Sequence, residues 1–249
     1  MAFFGLFGRK SAPTIPLSEL GLTCDMHSHL IPTLDDGSDS TETSISLINS
    51  LKNLGYKKLI ITPHVMTGFY NNDEGKIVNG FNELKKEVEN QHIDIELDVG
   101  AEYYIDYDFM QDLSKKPMLT LGGSKMLLFE CSFVNQHKNF DETVFEMQIN
   151  GYKPVLAHPE RYLYWHDDIE HMKLLHDRGI FFQINILSLA KVYSSDVNKA
   201  AKMLIENDLV DFIGTDLHHA KHLNIIENTK ISEHTFEKLK NATLLNNTL

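Results

Sequence analysis

The sequence predicts an α/β chain whose strands make one parallel sheet closed into a TIM-like (β/α) barrel, in a single domain. Three observations predict it. Short β-branched or apolar runs alternate with helical stretches from end to end, the pattern of repeated strand–helix units. A chain of 249 residues with 42% hydrophobic content fills one barrel-sized core, and no linker, low-complexity tract or internal repeat divides it. Imidazoles and carboxylates fall at the ends of successive β-like runs, and (β/α) barrels build their sites at the C-terminal ends of their strands.

The elements follow in order. Leu22 to Met26 reads as a short strand. Asp39, with Glu42 three residues on, makes a capping-box pattern before a helix with apolar positions Ile45, Ile48, Leu51 and Leu54, which Gly55 stops. Lys58 to Thr62 is a β-branched strand ending at Pro63. Ile77, Phe81, Leu84 and Val88 form the apolar stripe of a helix over Asp73 to Asn90. Ile93 to Val99 alternates apolar and acidic residues, as a half-exposed strand does. Met126 to Phe129 is a buried run, and Glu142 to Asn150 is helical up to Gly151. Pro154 to Ala157, Ile180 to Ile184 and Leu209 to Ile213 are strands. Helices over Asp168 to Arg178 and Val197 to Asn207 separate them, and one over Ser232 to Lys240 finishes the chain. This makes seven strands, one fewer than the usual eight.

The net charge of −12 argues against a nucleic-acid binder, which needs a basic face. It suits a site rich in carboxylates neutralised by cations, although acidity also serves solubility alone. Cys24 and Cys131 each adjoin a candidate site residue. Neighbours on a strand face opposite ways, so both are expected in the apolar core. Nothing suggests a disulfide framework, and a reducing, cytoplasmic setting is expected. No run approaches the roughly 20 apolar residues of a membrane span. Met1 to Lys10 is apolar and then basic, the reverse of a secretory signal. Phe3, Phe4, Leu6 and Phe7 there are expected to fray or pack, with a membrane or partner contact as the alternative.

His27-Ser28-His29 is the strongest local signal, because two imidazoles two apart on an extended segment point the same way. Asp25, two residues earlier, is expected to fix an imidazole tautomer from behind. Asp35-Asp36-Gly37 precedes the first helix and has a plain reading as a turn. His64 follows Pro63. Glu102 and Glu130 close strand-like runs, where an unpaired carboxylate is costly to bury; a salt bridge is their bland alternative. Asp216-Leu217-His218 is another two-apart pair after a strand. Each motif is weak alone, but together they converge on one end of the strands and predict a metal site. In His158-Pro159-Glu160-Arg161, His158 is a candidate ligand. Arg161 adds a planar cation suited to bidentate phosphate binding, unless it merely pairs with Glu160 or a nearby Asp. His92, His137, His166, His171, His176 and His234 read as surface residues; His219 and His222 lie close enough for loop contacts. G-x-S-x-G, P-loop and C-x5-R patterns are absent, which argues against a Ser or Cys nucleophile.

In order, these motifs are Asp-x-His-x-His, Asp-Asp-Gly, Thr-Pro-His, Gly-Ala-Glu, Phe-Glu, Ala-His-x-Glu-Arg, Gln-x-Asn and Asp-x-His. The chain from about Leu22 onward resembles the PHP (polymerase and histidinol phosphatase) superfamily. It is most similar to the bacterial manganese-dependent protein-tyrosine phosphatases of capsule and exopolysaccharide operons. The resemblance implies a distorted seven-stranded (β/α) barrel, with residues 1–20 an extension and 21–249 the domain. It implies up to three Mn2+ ions, with Fe or Zn as alternatives. Carried across, His27, His29, Glu102 and Asp216 hold one metal. Glu102 bridges to a second, held also by Glu130 and His158, while Asp36, His64 and His218 hold the third. Arg161 binds the phosphate, and a metal-bridged hydroxide is the nucleophile. Some relatives carry basic residues after Thr-Pro-His and a Gly-Arg-Pro loop after the final Asp-x-His. Here the stretches are Val65 to Tyr70 and His219-Ala220-Lys221-His222, so Lys221 or His222 is expected to substitute. Phe69, Tyr70, Tyr103 and Tyr104 are candidates to pack on a substrate ring, with plain rim packing as the alternative. The implied substrate is the Tyr-rich tail of a membrane-associated bacterial tyrosine autokinase controlling polysaccharide export. The alternatives are a histidinol-phosphate or other small phosphomonoester phosphatase, a nuclease, and a non-catalytic metal-bound docking module.

Overall fold

The side chains that punctuate the sequence also delimit its elements. The computed structural model describes residues 13–249, so the Met1 to Lys10 segment lies outside the described residues. Among the described residues, eleven short strands run β1 (Thr14–Pro16), β2 (Cys24–Asp25), β3 (Lys58–Ile61), β4 (His64–Val65), β5 (Glu96–Val99), β6 (Glu102–Tyr104), β7 (Met126–Glu130), β8 (Lys153–Ala157), β9 (Phe181–Asn185), β10 (Phe212–Gly214) and β11 (Lys230–Ser232). The helices are α1 (Thr41–Asn53), α2 (Glu74–Asn90), α3 (Tyr107–Leu113), α4 (Phe140–Ile149), α5 (Ile169–Asp177), α6 (Ile186–Leu189), α7 (Ser195–Glu206), α8 (Ala220–Asn228) and α9 (Glu233–Asn241).

Most α-helices start on a short polar side chain that accepts from the amide three residues on. Ser40, Asp73, Asp168, Ser194 and Ser232 do this for α1, α2, α5, α7 and α9. The expected cap Asp39 sits one residue before the actual cap Ser40 and instead accepts from the Ser40 and Thr43 hydroxyls. The expected strand over Lys58 to Thr62 continues past Pro63 as β4, and the one over Ile93 to Val99 continues past Gly100-Ala101 as β6. The extra turns α3, α6 and α8 and the antiparallel β1–β11 pair were not expected; α3 and α6 are too short to show a helical period.

Parallel pairing builds one sheet in the order β10-β9-β8-β7-β6-β4 and another in the order β2-β3-β5. The two sheets share backbone contacts. Ser28 bridges Leu217 in parallel, His29 N donates to the Leu217 carbonyl at 2.9 Å, and Asp216 N donates to the His27 carbonyl at 2.8 Å. Elsewhere β3 and β5 run on through Pro63 and Gly100-Ala101 into β4 and β6, where Glu102 N donates to Pro63 O.

Two apolar clusters result. The larger packs the helices onto the outward strand faces, through Leu59, Ile61, Phe129, Leu156, Phe182 and Ile213 among others. The smaller collects Cys24, Met26, Ile60, Leu128, Val155, Ala157 and Phe212, drawn from strands of both sheets. Both cysteines are buried in apolar surroundings, as expected, and burial pushes the Cys24 thiol up to about 12. Among the described residues, no helix is long and apolar enough to cross a membrane.

Candidate metal centre

The C-terminal ends of the parallel strands converge on one cluster. His27 and His29 extend from β2, and their Nε2 atoms lie 3.2 Å apart. His27 Nε2 is 3.2 Å from Glu102 Oε2 and 3.5 Å from Asp216 Oδ1. His29 Nε2 is 3.5 Å and 3.4 Å from the same two oxygens. Spacings of this size follow when donor atoms share one cation through bonds of roughly 2.0–2.2 Å.

The hydrogen bonds behind the rings fix what the front atoms are. His27 Nδ1 donates to Gln183 Oε1 at 2.9 Å and His29 Nδ1 donates to Asp35 Oδ2 at 2.8 Å. Both partners are acceptors at those atoms, so each neutral ring turns a bare Nε2 lone pair inward. Glu102 Oε2 has no hydrogen-bond partner among the described residues although it is fully buried. Two lone pairs and two carboxylate oxygens crowded together repel one another unless positive charge sits among them. The residues therefore fit a metal ion.

A second group adjoins the first. His64 Nδ1 lies 3.1 Å from Glu102 Oε2 and 3.2 Å from Glu130 Oε1. His158 Nε2 lies 3.0 Å from Glu102 Oε1 and 3.8 Å from Glu130 Oε2. Asp36 Oδ1 lies 3.6 Å from His64 Nε2 and 3.6 Å from His218 Nε2. All nine candidate ligands are thus brought together, with Glu102 at the centre. The structure places His29 beside the Asp36, His64 and His218 group as well, and His64 beside Glu102 and Glu130.

Local backbone serves this convergence. His158 and Asp216 adopt positive φ, 37° and 50°, which is strained for residues with a Cβ and concentrates at functional sites. Gly37 lets the Asp35-Asp36 loop lie against His29, where an added Cβ would meet the His29 carbonyl oxygen at 2.1 Å.

The electrostatics show how strongly the cluster favours positive charge. Burial by itself lowers the pKa of His27, yet Glu102 and Asp216 outweigh it and bring the ring to about 9. Burial likewise opposes protonation of His29, and Asp35 reverses it. Burial raises Glu102 and Asp216, but the imidazoles, His27 first, hold both well below the usual carboxylate range.

Beside the cluster opens a cavity of about 320 Å³, lined by Asp36, His64, Tyr70, Glu130, Phe133, His158, Arg161, Tyr193, Asp216, His218, His219 and His222. Arg161 is 22% exposed, its Nη1 3.5 Å from Asp216 Oδ2. Its expected competitor Glu160 is occupied elsewhere, accepting from Asn185 N and Ser188 Oγ. Tyr70 stacks on His64 with ring centroids 5.2 Å apart. His222 reaches the cavity, with its pKa lowered to about 4 by burial and by His219.

Three expectations are corrected. Asp25 orients no imidazole: it accepts from Thr215 N at 2.9 Å and Thr215 Oγ1 at 2.6 Å, tying β2 to the end of β10. Tyr103 is buried away from the cavity against Phe109, where its hydroxyl accepts from Leu119 N, because strand alternation turns it opposite to Glu102. Lys221 is exposed on the first turn of α8 and does not line the cavity. Tyr104 lines a separate cavity with Ser132 and residues 135–139, and Phe69 is 74% exposed.

Sequence reasoning assigned no role to Asp35, Gln183, Asn185, Phe133 or Tyr193. Gln183-x-Asn185 carried a signal, two polar residues on one face of an otherwise apolar strand. Asp35 stood beside a named ligand. Phe133 and Tyr193 sit in irregular segments without a period.

Comparison with known proteins follows the same lines. The family model for "Capsular polysaccharide synthesis, CpsB/CapC" matches residues 23–243. The tyrosine-protein phosphatase YwqE of Bacillus subtilis is 28% identical over 229 residues, covering 89% of this chain and 90% of that protein. The tyrosine-protein phosphatase CpsB of Streptococcus agalactiae is 29% identical over 200 residues, 78% and 82% of the two chains. A solved structure from work on YwqE from B. subtilis and CpsB from Streptococcus pneumoniae, described as unique metal-dependent tyrosine phosphatases, matches with a TM-score of 0.75 and 27% identity. The match covers 89% of this chain and 96% of that one.

Proposed function

The chain belongs to the capsular polysaccharide synthesis CpsB/CapC family, and on that premise we propose that it is a metal-dependent protein-tyrosine phosphatase. The observation that carries the reading is the pair of imidazole Nε2 atoms facing Glu102 and Asp216, with Arg161 on the wall of the adjoining cavity. His27, His29, Glu102 and Asp216 hold one ion in this reading; Glu102, Glu130 and His158 hold a second; Asp36, His64 and His218 hold a third. The metal is Mn2+, with Fe or Zn compatible with the same donors. Bound metal supplies Lewis-acid neutralisation of the phosphoryl oxygens and a water of lowered pKa.

The chain's own residues do the rest. Arg161 receives phosphate oxygens through its planar N–H donors. Gln183 and Asp35 hold His27 and His29 in the ligating tautomer. Tyr70 forms part of the wall along which an aryl group leaves. A phenol, with a pKa near 10, departs more readily than an alkoxide, so no dedicated general acid is assigned.

The two sheets and their shared backbone contacts support a distorted seven-stranded barrel of the PHP type, its interior filled by the cluster around Met26, Leu128 and Phe212. Residues 21–249 are the catalytic domain, and residues 1–20 an extension whose Thr14–Pro16 stretch pairs with β11. The substrate is a phosphotyrosine protein in capsule or exopolysaccharide synthesis, a membrane-associated tyrosine autokinase, met from the cytoplasmic side.

The test measures phosphate release from a phosphotyrosine peptide, a phosphoserine peptide and histidinol phosphate. Each is assayed with metal-stripped protein and again after Mn2+ is restored. Metal-dependent release from the phosphotyrosine peptide alone is expected. Preference for histidinol phosphate overturns the substrate, and no release from any of the three overturns the phosphatase reading.

A further inference from the structure

The Arg161 guanidinium carbon lies over two aromatic rings, 4.1 Å from the Phe133 ring centroid and 4.3 Å from that of Tyr193. The two rings come from separate segments, one following β7 and the other following α6. Each is anchored. Phe133 packs against the His158 ring at 5.5 Å and the Tyr162 ring at 5.9 Å. The Tyr193 hydroxyl accepts from Asn185 Nδ2 at 3.1 Å and donates to Asp216 Oδ2 at 3.4 Å. Asn185 Nδ2 also donates to Asp216 Oδ2 at 2.5 Å. The segment carrying Tyr193 is fastened in turn, since Asn198 Nδ2 donates to the Ser188 and Leu189 carbonyls at 2.9 and 3.0 Å.

We infer that Phe133 and Tyr193 are positioning residues for anion binding: they clamp the Arg161 guanidinium in one plane, so that its N–H edge meets phosphate oxygens ready-oriented. The inference rests on the reading of Arg161 as the phosphate ligand. All five guanidinium N–H bonds lie in the plane of the group. With two rings packed on the group, its donors are usable at the edge the rings leave free, and one of those donors already engages Asp216 Oδ2 at 3.5 Å. The long side chain then loses little freedom when an oxyanion arrives. A lysine ammonium has no plane to be clamped, so the two rings select arginine. Asn185 links this clamp to the carboxylate of Asp216 and so ties the anion site to the metal cluster.

The test is binding of inorganic phosphate to the Mn2+-loaded full chain by titration calorimetry, with metal content and thermal midpoint recorded for each variant. Tyr193→Leu and Phe133→Leu should each weaken phosphate binding about tenfold, the scale of a desolvated cation–π contact, with metal content unchanged. Tyr193→Phe keeps the ring face and should stay within about threefold of wild type. Combined with Arg161→Ala, Tyr193→Leu should add no further loss, because both act through one group. Multiplicative losses in the double variant, unchanged phosphate binding in both Leu variants, or loss of metal in Tyr193→Leu would overturn the clamp. Non-additive phosphate binding in a protein that does not hydrolyse phosphotyrosine would uphold the clamp and reject the substrate reading instead.

Discussion

His158 and Arg161 are three positions apart on one short turn yet do different work. His158 touches Glu102 and Glu130, while Arg161 meets the ligand set at the outer oxygen of Asp216. His158→Ala should therefore lower metal content and turnover together, as read by metal analysis and phosphate release. Arg161→Ala should keep the metal and lower turnover about 100-fold, the usual effect of removing one donor from a developing oxyanion. Wild-type kinetics in Arg161→Ala would remove it from the phosphate site. The ligands themselves were legible as residues, because His-x-His and Asp-x-His on extended backbone have few other uses in concert. Their supports were not: Asp35 and Gln183 matter only because the loop over Gly37 and strand β9 bring them behind the rings.

At the scale of elements, apolar period was the readable signal, and the helices expected over Asp73 to Asn90 and Asp168 to Arg178 form as α2 and α5, with Asp73 and Asp168 as their caps. The contacts that dock them were hidden. His176, in the last turn of α5, had read as a surface residue. Its Nε2 lies 3.1 Å from Asp211 Oδ2, a carboxylate that also accepts from Phe182 N at the start of β9. The hydrogen bond to Asp211 raises the His176 pKa, with burial opposing. A raised imidazole pKa stabilises the fold fully below the unfolded value near 6.5 and ceases to do so as pH climbs through the folded value. The thermal midpoint of His176→Leu should accordingly fall further below wild type at pH 5.5 than at pH 8.5. An equal gap at both values would show that the pair does not titrate with folding.

For the whole molecule, the metal cluster is also a structural load. It gathers buried carboxylates and imidazoles from strands β2, β4, β6 and β7 and from the ends of β8 and β10. Any ion that binds only the folded state stabilises it by about 2.7 kcal/mol at a 100-fold excess over Kd. For a chain of this size that is a shift of roughly 5–10 °C in the thermal midpoint. Chelation at pH 8 should lower the midpoint by about that amount, and restored Mn2+ should recover it. A midpoint that holds while metal analysis reads zero would mean the cluster balances its charges without an ion.

The strand–helix alternation, the burial of both cysteines and the cation at Arg161 were legible in the chain alone, and the nine candidate ligands became so once the family resemblance joined their motifs. These are properties of local period and residue chemistry, and they survive any rearrangement of the elements. It took the fold to place Glu102 at the centre of the cluster, to give Asp25 to Thr215 and to turn Tyr103 away. The same holds for Phe133 and Tyr193 packing on Arg161. Those contacts join residues as far as 190 positions apart, and what sets them is how strands of two sheets meet, which no local pattern encodes.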